Sequence, residues 1–352
     1  MGRGGARAGA ASRGPRQPEP SMRSPRLLAL LATLAFAGVA HADPHVGFMR
    51  LSTPDPSGAP IEVGVWYPTD TPETGPAGGM ESLPVATGAP VSGDHLPLVV
   101  MSHGNGGWFG GHYDTAAALV RRGFVVAALT HTGDNYRDQS RALEMTDRPR
   151  QLSVLIGYML NASPMHARID PAKVGAFGFS SGGFTVLAAA GGEPNLAATF
   201  PAHCLKHPGN YDCRLSAGKP LPAGVLAPTW THDARIKAVV SAAPALGFSF
   251  GREGLKGVTQ PLQLWKAGDD EILPDPDYAE AVHRALPRAH DYRVVPGARH
   301  FDFLAPCGPQ AARQLPGPLC ASAPGFDRAA FHADFNRQVA TFFATHLGVG
   351  ER

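Results

Sequence analysis

The chain has 352 residues, of which 43% are hydrophobic, and its formal net charge at pH 7 is +2. This length is sufficient for one large α/β domain with a well-buried core. Because the basic residues are spread along the chain without runs, nucleic acid is not an expected partner. Apart from one apolar segment near the N-terminus, no stretch is long and apolar enough to cross a membrane, so no stable membrane anchor is expected. The sequence leaves the oligomeric state open.

The N-terminal residues have the composition of an export signal and not of a folded domain. Residues 1–21 are rich in Gly, Arg and Pro and have few large apolar side chains, so they cannot form a core. Two arginines then precede an apolar run at residues 27–40, which ends in the small-x-small cleavage sequence Ala-His-Ala. We predict that residues 1–21 precede the true start, that residues 22–42 are a signal peptide, and that residues 43–352 form one periplasmic or secreted domain.

Strand-like and helix-like segments alternate along the rest of the chain, which predicts a mostly parallel sheet covered by helices on both faces. The predicted strands are Ile61–Tyr67, Leu96–Ser102, Phe124–Thr130, Val174–Phe179, Ile236–Ala242, Pro261–Ala267 and Asp291–Val295. The predicted helices are His112–Arg122, Arg148–Asn161, Ser181–Ala190, Asp277–Leu286 and Arg328–His346. Residues 53–96 are predicted as a long surface connection around one strand. Residues 191–233 are predicted as an insertion that could cover a site at the carboxyl ends of the strands.

The most informative segment is residues 173–190, which read KVGAFGFSSGGFTVLAAA. Strand-forming residues lead into a Gly-x-Ser-x-Gly turn, and small apolar residues suited to a helix follow it. This is the nucleophile-elbow pattern, which places Ser180 at the tip of a sharp turn between a strand and a helix. We expect Gly178, Gly182 and Gly183 to be required because a Cβ atom at these positions would strike the neighbouring strand or helix. The segment therefore predicts a serine nucleophile.

The hydroxyl of Ser180 needs a general base, and the base in turn needs an orienting carboxylate. In this architecture the acid and then the histidine follow the serine along the chain, each on a loop after a strand. Asp270 and His300 each follow a predicted strand in that order, so we predict them as the catalytic acid and base. Asp269 and Glu271 flank the predicted acid and remain alternatives to it.

A glycine-rich loop, MSHGNGG at residues 101–107, follows another predicted strand and has the pattern of an oxyanion loop. Because acyl transfer needs hydrogen-bond donors for the oxyanion, we predict the backbone N–H groups of Asn105 and Ser181 as those donors. His103 is predicted to stabilise the loop and not to act as a second base. Aromatic side chains could line an acyl pocket, and each could instead belong to the core. They are Trp108, Phe109, Trp230, Phe248 and Phe250.

Four cysteines occur in the chain, and an exported protein is expected to join them in disulfides. Four cysteines allow three connectivities. We predict the local pairs Cys204–Cys213 and Cys307–Cys320 because both lie in loop-like stretches; free thiols or a metal site are the alternative. Since we find neither a Cys-x-x-Cys nor a His-x-x-x-His spacing in support of a metal, we predict no metal site.

Four segments together resemble the dienelactone-hydrolase-like and platelet-activating-factor-acetylhydrolase-like branch of the α/β-hydrolases. They are SHGNGG, GFSSGGFT, GDDEILP and GARHFDFLAPC. The resemblance covers roughly residues 46–346. It implies an α/β-hydrolase fold, a Ser-Asp-His triad, no cofactor, and hydrolysis of a small-molecule carboxylic ester.

The chain departs from this branch at two positions. Dienelactone hydrolases carry Cys where this chain has Ser180, and the acetylhydrolases place their acid after the next strand. In this chain that strand leads into SAAP at residues 241–244, which offers no carboxylate. The alternatives on the same triad are a lipase, a polyester hydrolase or a peptidase. A binding protein that keeps the fold without catalysis is the alternative from another class.

Overall fold

A mixed sheet of ten strands organises the part of the chain that the computed structural model describes, which comprises residues 1–2, 14–15, 17, 44–56, 58–76 and 83–350. The predicted N-terminal extension lies outside these ranges except for residues 1–2, 14–15 and 17, and the predicted signal peptide lies wholly outside them. The sheet belongs to one compact unit, residues His41–Arg352.

The strands of this sheet are β1 (His45–Asp55), β2 (Gly58–Thr69), β3 (Gly75–Pro76), β4 (Pro84–Thr87), β5 (Leu96–Ser102), β6 (Val125–Thr130), β7 (Ile169–Phe179), β8 (Ile236–Ala242), β9 (Leu262–Ala267) and β10 (Asp291–Val295). Their order across the sheet is β10-β9-β8-β7-β5-β6-β2-β1-β4-β3. Neighbouring strands are parallel from β10 to β6, and β2 joins β6 in antiparallel orientation. The carboxyl ends of β5, β7, β8, β9 and β10 therefore open at one edge, where α/β folds bind ligands.

Ten α-helices accompany the sheet in the described residues. They are α1 (Tyr113–Arg121), α2 (Asp147–Asn161), α3 (Ser181–Ala189), α4 (Leu196–Lys206), α5 (Tyr211–Ser216), α6 (Ala223–Leu226), α7 (Ala279–Ala285), α8 (Pro309–Gln314), α9 (Gly317–Cys320) and α10 (Arg328–His346). Among the described residues, no helix combines the length and hydropathy that a membrane crossing requires.

Helices cover both faces of the sheet because successive strand residues point to opposite sides. In β5, Leu98 and Val100 belong to the apolar cluster that contains the buried residues of α2 and α3. Val99 and Met101 belong to the cluster that contains those of α1 and α10. Every residue of β5 is buried, as expected for a central strand of a parallel sheet with two covered faces. The predicted α/β-hydrolase fold is confirmed.

The prediction for residues 53–96 was wrong in one respect, because the chain there is more regular than a surface connection around one strand. β1 and β2 form an antiparallel hairpin in which His45 pairs with Thr69, and β4 pairs with β1 in parallel. The hairpin register shifts between Thr53 and Asp55. This β-bulge accommodates Pro54, one of the residues that suggested a loop.

Three helices, α4, α5 and α6, lie within the insertion at residues 191–233, where the sequence predicted none. Pro201 lies inside α4, which begins after Asn195, whose side chain accepts a hydrogen bond from the Ala198 N–H. Proline normally interrupts a helix interior, and for this reason the sequence did not predict α4.

Both predicted disulfides are confirmed. Cys204–Cys213 joins α4 to α5 within the insertion. Cys307–Cys320 closes the segment that follows the 3-10 turn His300–Phe303 and contains α8. Loops of this length contribute roughly 3 kcal/mol each to the free energy of unfolding in the loop-entropy description.

Candidate active site

Ser180 lies on the turn between β7 and α3, with φ 55° and ψ −119°. A residue other than glycine rarely adopts this conformation, and such strain is found at functional sites. The surrounding glycines make the turn possible. A Cβ atom on Gly178 would lie 2.0 Å from the Gly182 carbonyl oxygen, and one on Gly182 would lie 1.9 Å from the Ser102 carbonyl oxygen. Any larger residue at either position would therefore push the turn away from the sheet.

His300 and Asp270 lie next to Ser180, although they are distant along the chain. His300 Nε2 is 3.0 Å from Ser180 Oγ, and His300 Nδ1 is 2.8 Å from Asp270 Oδ2. Asp270 follows β9 and His300 follows β10, so adjacent parallel strands deliver both side chains to the same edge. Both distances are within the range over which a general base takes a proton.

Hydrogen bonds fix the orientation of the carboxylate beside His300. Asp270 Oδ1 accepts the backbone N–H groups of Ile272 and Leu273, which leaves Oδ2 facing the imidazole. The carboxylate therefore accepts from Nδ1–H and leaves the Nε2 lone pair directed at Ser180. Glu271 accepts the backbone N–H of His300.

The alternatives to Asp270 are placed differently. Glu271 contacts the backbone of the histidine and not its ring, and the Asp269 residue is exposed to solvent. Asp302 accepts the Arg299 backbone N–H and the Ser322 hydroxyl, so it organises the loop that carries the histidine. The geometry thus brings Asp270, and neither of its neighbours, to the imidazole.

The loop after β5 approaches Ser180 closely. A Cβ atom on Gly104 would lie 3.2 Å from Ser180 Cβ, so glycine permits this approach. Both polar atoms of the Asn105 side chain are engaged: Nδ2 donates to Asp134 at 2.6 Å, and Oδ1 accepts from the Tyr211 hydroxyl. Ser181 is the first residue of α3, and the first N–H groups of a helix have no partner within the helix. Ser181 thus follows Ser180 in the chain, and Asn105 follows Gly104, the residue that contacts Ser180. The two N–H groups remain our prediction for the oxyanion donors.

A buried ion pair lies behind this loop. Arg148 donates to the Asp134 carboxylate, to the His103 carbonyl oxygen and to Thr185 Oγ1. Burial lowers the pKa of the Arg148 guanidinium, and the charge of Asp134 opposes that shift. Asp134 also accepts the Gly106 backbone N–H at 3.0 Å. The ion pair fixes the loop backbone, and removing one partner of such a pair costs about 3–5 kcal/mol.

Three further histidines are buried near the site, and burial keeps them neutral. His103 Nε2 accepts the His131 backbone N–H, and Nδ1 donates to the Gly104 carbonyl at 2.6 Å, so this residue stabilises its loop. Burial lowers the pKa of His103 to about 3 and that of His112 to about 3. Burial also lowers the pKa of His131 well below its usual value.

Because these histidines are buried and neutral, we predict that the folded protein loses stability in mild acid. An unfolded chain protonates histidine near pH 6.5, whereas folded His103 and His112 stay neutral down to about pH 3. The unfolded state therefore binds more protons, and stability present above pH 6.5 falls as the pH falls. The two histidines together should lower the free energy of unfolding by about 3 kcal/mol between pH 7.5 and 5.5. Urea unfolding at the two pH values measures this.

A substitution at His112 separates this effect from general acid sensitivity. His112→Asn cannot ionise and should reduce the difference between the two pH values by about 1.4 kcal/mol, the share of one histidine. An unfolding free energy in the wild-type protein that does not change between pH 7.5 and 5.5 would contradict the assignment of neutral, buried histidines.

A narrow cavity adjoins Ser180 and has a volume of about 50 Å³. Its wall is mostly aliphatic and comes largely from the insertion and from the loops after β8 and β9. The lining residues include Asn105, Met145, Leu196, Phe200, Tyr211, Leu215, Leu221, Val225, Leu246 and Leu273. The insertion therefore covers the site, as predicted, and Tyr211 connects it directly to the Asn105 side chain.

None of the aromatic residues predicted as the lining of an acyl pocket lies in the wall of this cavity. Phe109 packs against Phe48 and Trp66 in the core, and Trp108 packs on Phe109. The two residues come after β5 in the chain, and their rings lie on the face of the sheet that α1 covers.

The aromatic residues after α3 do not line the cavity either, although Phe248 packs on Phe200 of its wall. Trp230 and Phe250 pack on Phe184 of α3, and Phe248 stacks on His203 at 3.8 Å between ring centroids. The cavity wall is instead built by short helices of the insertion. Sequence reasoning missed this wall because the apolar residues of those helices lie among prolines and glycines.

The structure also brings together side chains that could hold a metal. His203 and His207 of the insertion lie near Asp277, with donor atoms within 4.8 Å of one another. The prediction of no metal site assumed that no His-x-x-x-His spacing was present, but His203 and His207 have that spacing, which places both on one face of a helix.

No family model matches the chain. A stretch of 84 residues is 34% identical to a bis(hydroxyethyl) terephthalate hydrolase of Streptomyces coelicolor and covers 24% of this chain and 24% of that protein. The chain thus matches about a quarter of the length of this curated relative. A ferulic acid esterase from Streptomyces cinnamoneus superposes with a TM-score of 0.60 and 19% identity, over 90% of this chain and 94% of that chain. The second likeness shows the α/β-hydrolase fold.

Proposed function

We propose that the protein is an exported serine hydrolase that cleaves carboxylic esters through an acyl-enzyme. The observation that carries the proposal is the hydrogen-bonded array of Ser180, His300 and Asp270 at a strained turn beside an apolar cavity. Nucleophile, base and orienting acid in this order along the chain are the arrangement of serine hydrolases with this fold.

In the first half of the reaction, Ser180 Oγ attacks the ester carbonyl carbon while His300 Nε2 accepts the hydroxyl proton. The carbonyl oxygen becomes negative and receives hydrogen bonds from the Asn105 and Ser181 N–H groups. Asp270 stabilises the imidazolium that forms. The bond to the alcohol then breaks, and the proton on His300 passes to the departing oxygen.

In the second half, water takes the place of the alcohol. His300 Nε2 removes a proton from the water as its oxygen attacks the acyl carbon, and the same two N–H groups bind the second oxyanion. Collapse of this intermediate breaks the bond to Ser180 Oγ, which recovers its proton from His300. The product is a carboxylic acid, and the enzyme returns to its starting state.

Export is part of this proposal. Two disulfides join cysteines within the domain, and disulfides persist in periplasmic and extracellular environments. The predicted signal sequence at residues 22–42 agrees with that location. Sequencing of the N-terminus of protein made in an exporting host would test it, with a start near Asp43 expected.

The cavity favours esters of small acyl groups. Its volume of about 50 Å³ is far below the roughly 300–1,000 Å³ of typical sites for drug-sized ligands. Apolar side chains, chiefly leucines, form most of the wall, so an apolar acyl group fits its chemistry. A long acyl chain would need the insertion to move.

A second candidate is an esterase for aromatic acids. Both the terephthalate hydrolase and the ferulic acid esterase to which the chain is similar are named for esters of aromatic carboxylic acids. Tyr211 and Phe200 of the insertion are the aromatic residues among those that line the cavity, and they could contact such a ring.

A panel of esters separates the two candidates. With p-nitrophenyl acetate, butyrate and octanoate, we expect kcat/KM to fall by about 10- to 100-fold at octanoate, because forcing methylenes into a packed cavity costs about 1–3 kcal/mol. Methyl butyrate, methyl ferulate and bis(hydroxyethyl) terephthalate are measured in parallel. Higher kcat/KM on the aromatic esters than on methyl butyrate would favour the second candidate, and no turnover of any ester would contradict both.

A further inference from the structure

Two histidines of the insertion face an aspartate from the segment after β9. His203 and His207 are four residues apart on α4 and its C-terminal end. Asp277 Oδ2 lies 3.8 Å from His203 Nδ1 and 3.3 Å from His207 Nε2. All three donor atoms lie within 4.8 Å of one another. None of these residues has a role in the proposed ester hydrolysis.

Hydrogen bonds determine which nitrogen of His203 can bind a ligand. The Tyr278 hydroxyl donates to Asp212 Oδ1 at 2.9 Å, so its oxygen can only accept from other groups. His203 Nε2 lies 3.2 Å from that oxygen and 3.3 Å from Asn210 Nδ2, which itself donates to the oxygen at 3.1 Å. We therefore assign the proton to Nε2. The lone pair of His203 is then on Nδ1, the nitrogen that faces Asp277. Stacking on Phe248, with the rings inclined by 10°, fixes the plane of the imidazole.

We propose that His203 Nδ1, His207 Nε2 and the Asp277 carboxylate bind one divalent transition-metal ion of the zinc type. Zinc binds imidazole nitrogen and carboxylate oxygen at about 2.0–2.2 Å, so tetrahedral ligands lie about 3.3–3.5 Å apart. The separations of 3.3 and 3.8 Å approach these values. Two imidazole ligands favour zinc over magnesium and calcium, which prefer oxygen.

The surroundings suit an ion with three protein ligands and a fourth coordination position that water can occupy. The His207 side chain is 44% exposed and that of Asp277 is 28% exposed, whereas His203 is buried. A water molecule can therefore reach the ion from the solvent side. Asp212 Oδ2, at 3.9 Å from His203 Nε2, supplies a second negative charge behind the ring. The Tyr278 hydroxyl accepts from His203 Nε2–H and donates to Asp212, so it links the ring to that carboxylate, and such partners orient a metal-binding histidine.

Another grouping of side chains around His203 is less suitable. Asp212 and Cys213 also lie close to it, but Cys213 is joined to Cys204 in a disulfide. Its sulfur is not a thiolate and is a poor zinc ligand. His207 and Asp277 are thus the partners of His203.

The ion would link the insertion to the body of the domain beside the cavity. His203 lies on α4, which also supplies Phe200 and Leu196 to the cavity wall. Asp277 belongs to the segment between Asp270 and α7. A ligand that binds the folded state stabilises it, so the ion should hold the insertion over the cavity. The chemistry at Ser180 does not use it.

Titration of untagged protein, stripped with EDTA and desalted, tests the proposal. Calorimetry with ZnCl₂ should give one ion per chain, and zinc should raise the melting temperature and protect residues 196–216 from amide hydrogen exchange. Cobalt should give the visible absorption of a tetrahedral site, and MgCl₂ should give no binding. His207→Ala and Asp277→Asn should each weaken zinc binding at least tenfold, a typical minimum for loss of a ligand.

Lys206→Ala is the matched control, since Lys206 is exposed on the same turn of α4 and is not a proposed ligand. It should bind zinc as the wild type does. Circular dichroism and labelling of Ser180 by a fluorophosphonate establish that each variant is folded, independently of metal. The proposal is overturned by the absence of saturable zinc binding in the wild type, by unchanged affinity in His207→Ala and Asp277→Asn, or by equal loss in Lys206→Ala.

Discussion

Replacing Ser180 with alanine is expected to lower kcat for ester hydrolysis by about 10⁴- to 10⁶-fold, the loss seen when a serine hydrolase loses its nucleophile. The substitution removes the atom that forms the acyl-enzyme, together with its hydrogen bond to His300 Nε2. The fold should persist, because the turn is determined by glycines and backbone hydrogen bonds. The p-nitrophenyl butyrate assay and thermal unfolding measure the two effects.

A fluorophosphonate probe gives an independent readout of the same residue. Wild-type protein should be labelled once, with the adduct on the peptide that contains Ser180, and Ser180→Ala should not be labelled. Ser140→Ala serves as a control, because Ser140 is exposed and distant along the chain from the elbow, and it should be labelled normally. Labelling at Ser181, or substantial activity in Ser180→Ala, would contradict the assignment. A protein that binds esters without cleaving them would not react with the probe.

Much of the fold was predictable because buried parallel strands have a strong sequence pattern. The predicted bounds of β5, β8, β10 and α10 agree with the structure. β5 and β8 are mostly apolar and buried, and in α10 apolar residues recur at a spacing of four at Phe331, Phe335 and Val339. β7 begins at Ile169 instead of Val174, because Asp170 and Pro171 in its first half resemble a turn.

The elements that the sequence did not predict are those whose stability comes from contacts with other parts of the chain. α4 contains Pro201 and is joined by a disulfide to α5. α6 has four residues, too few for a helix to be stable alone. Such segments fold because the body of the domain provides an apolar surface, and a local pattern does not contain that information.

The same distinction applies to the site. The sequence predicted Ser180, Asp270 and His300 as a group because each follows a strand. The carboxyl ends of parallel strands lie at the same edge of the sheet. The cavity wall was not predicted, since it depends on how the insertion lies over the sheet edge. The spacing of His203 and His207 was visible in the sequence, but Asp277, 70 residues beyond His207, could be placed beside them only by the structure.

Asp270→Asn is expected to lower kcat by about 10⁴-fold with little change in stability. In the wild type, Asp270 Oδ1 accepts two backbone N–H groups and Oδ2 accepts from His300 Nδ1. The amide oxygen of asparagine would keep the two backbone bonds, which places its NH₂ group toward the imidazole. His300 must then accept at Nδ1 and carry its proton on Nε2. A histidine in that tautomer cannot take the Ser180 proton.

Two neighbouring substitutions are matched controls for charge and for position. Asp269→Asn removes the same charge as Asp270→Asn does, but from the neighbouring residue, which is exposed. Glu271→Gln keeps an oxygen that can accept the His300 backbone N–H. Each should change kcat by less than about tenfold, because neither side chain contacts the ring, whose tautomer sets the rate. A loss in Asp269→Asn greater than that in Asp270→Asn would mean that the turn presents the other carboxylate to His300 during catalysis.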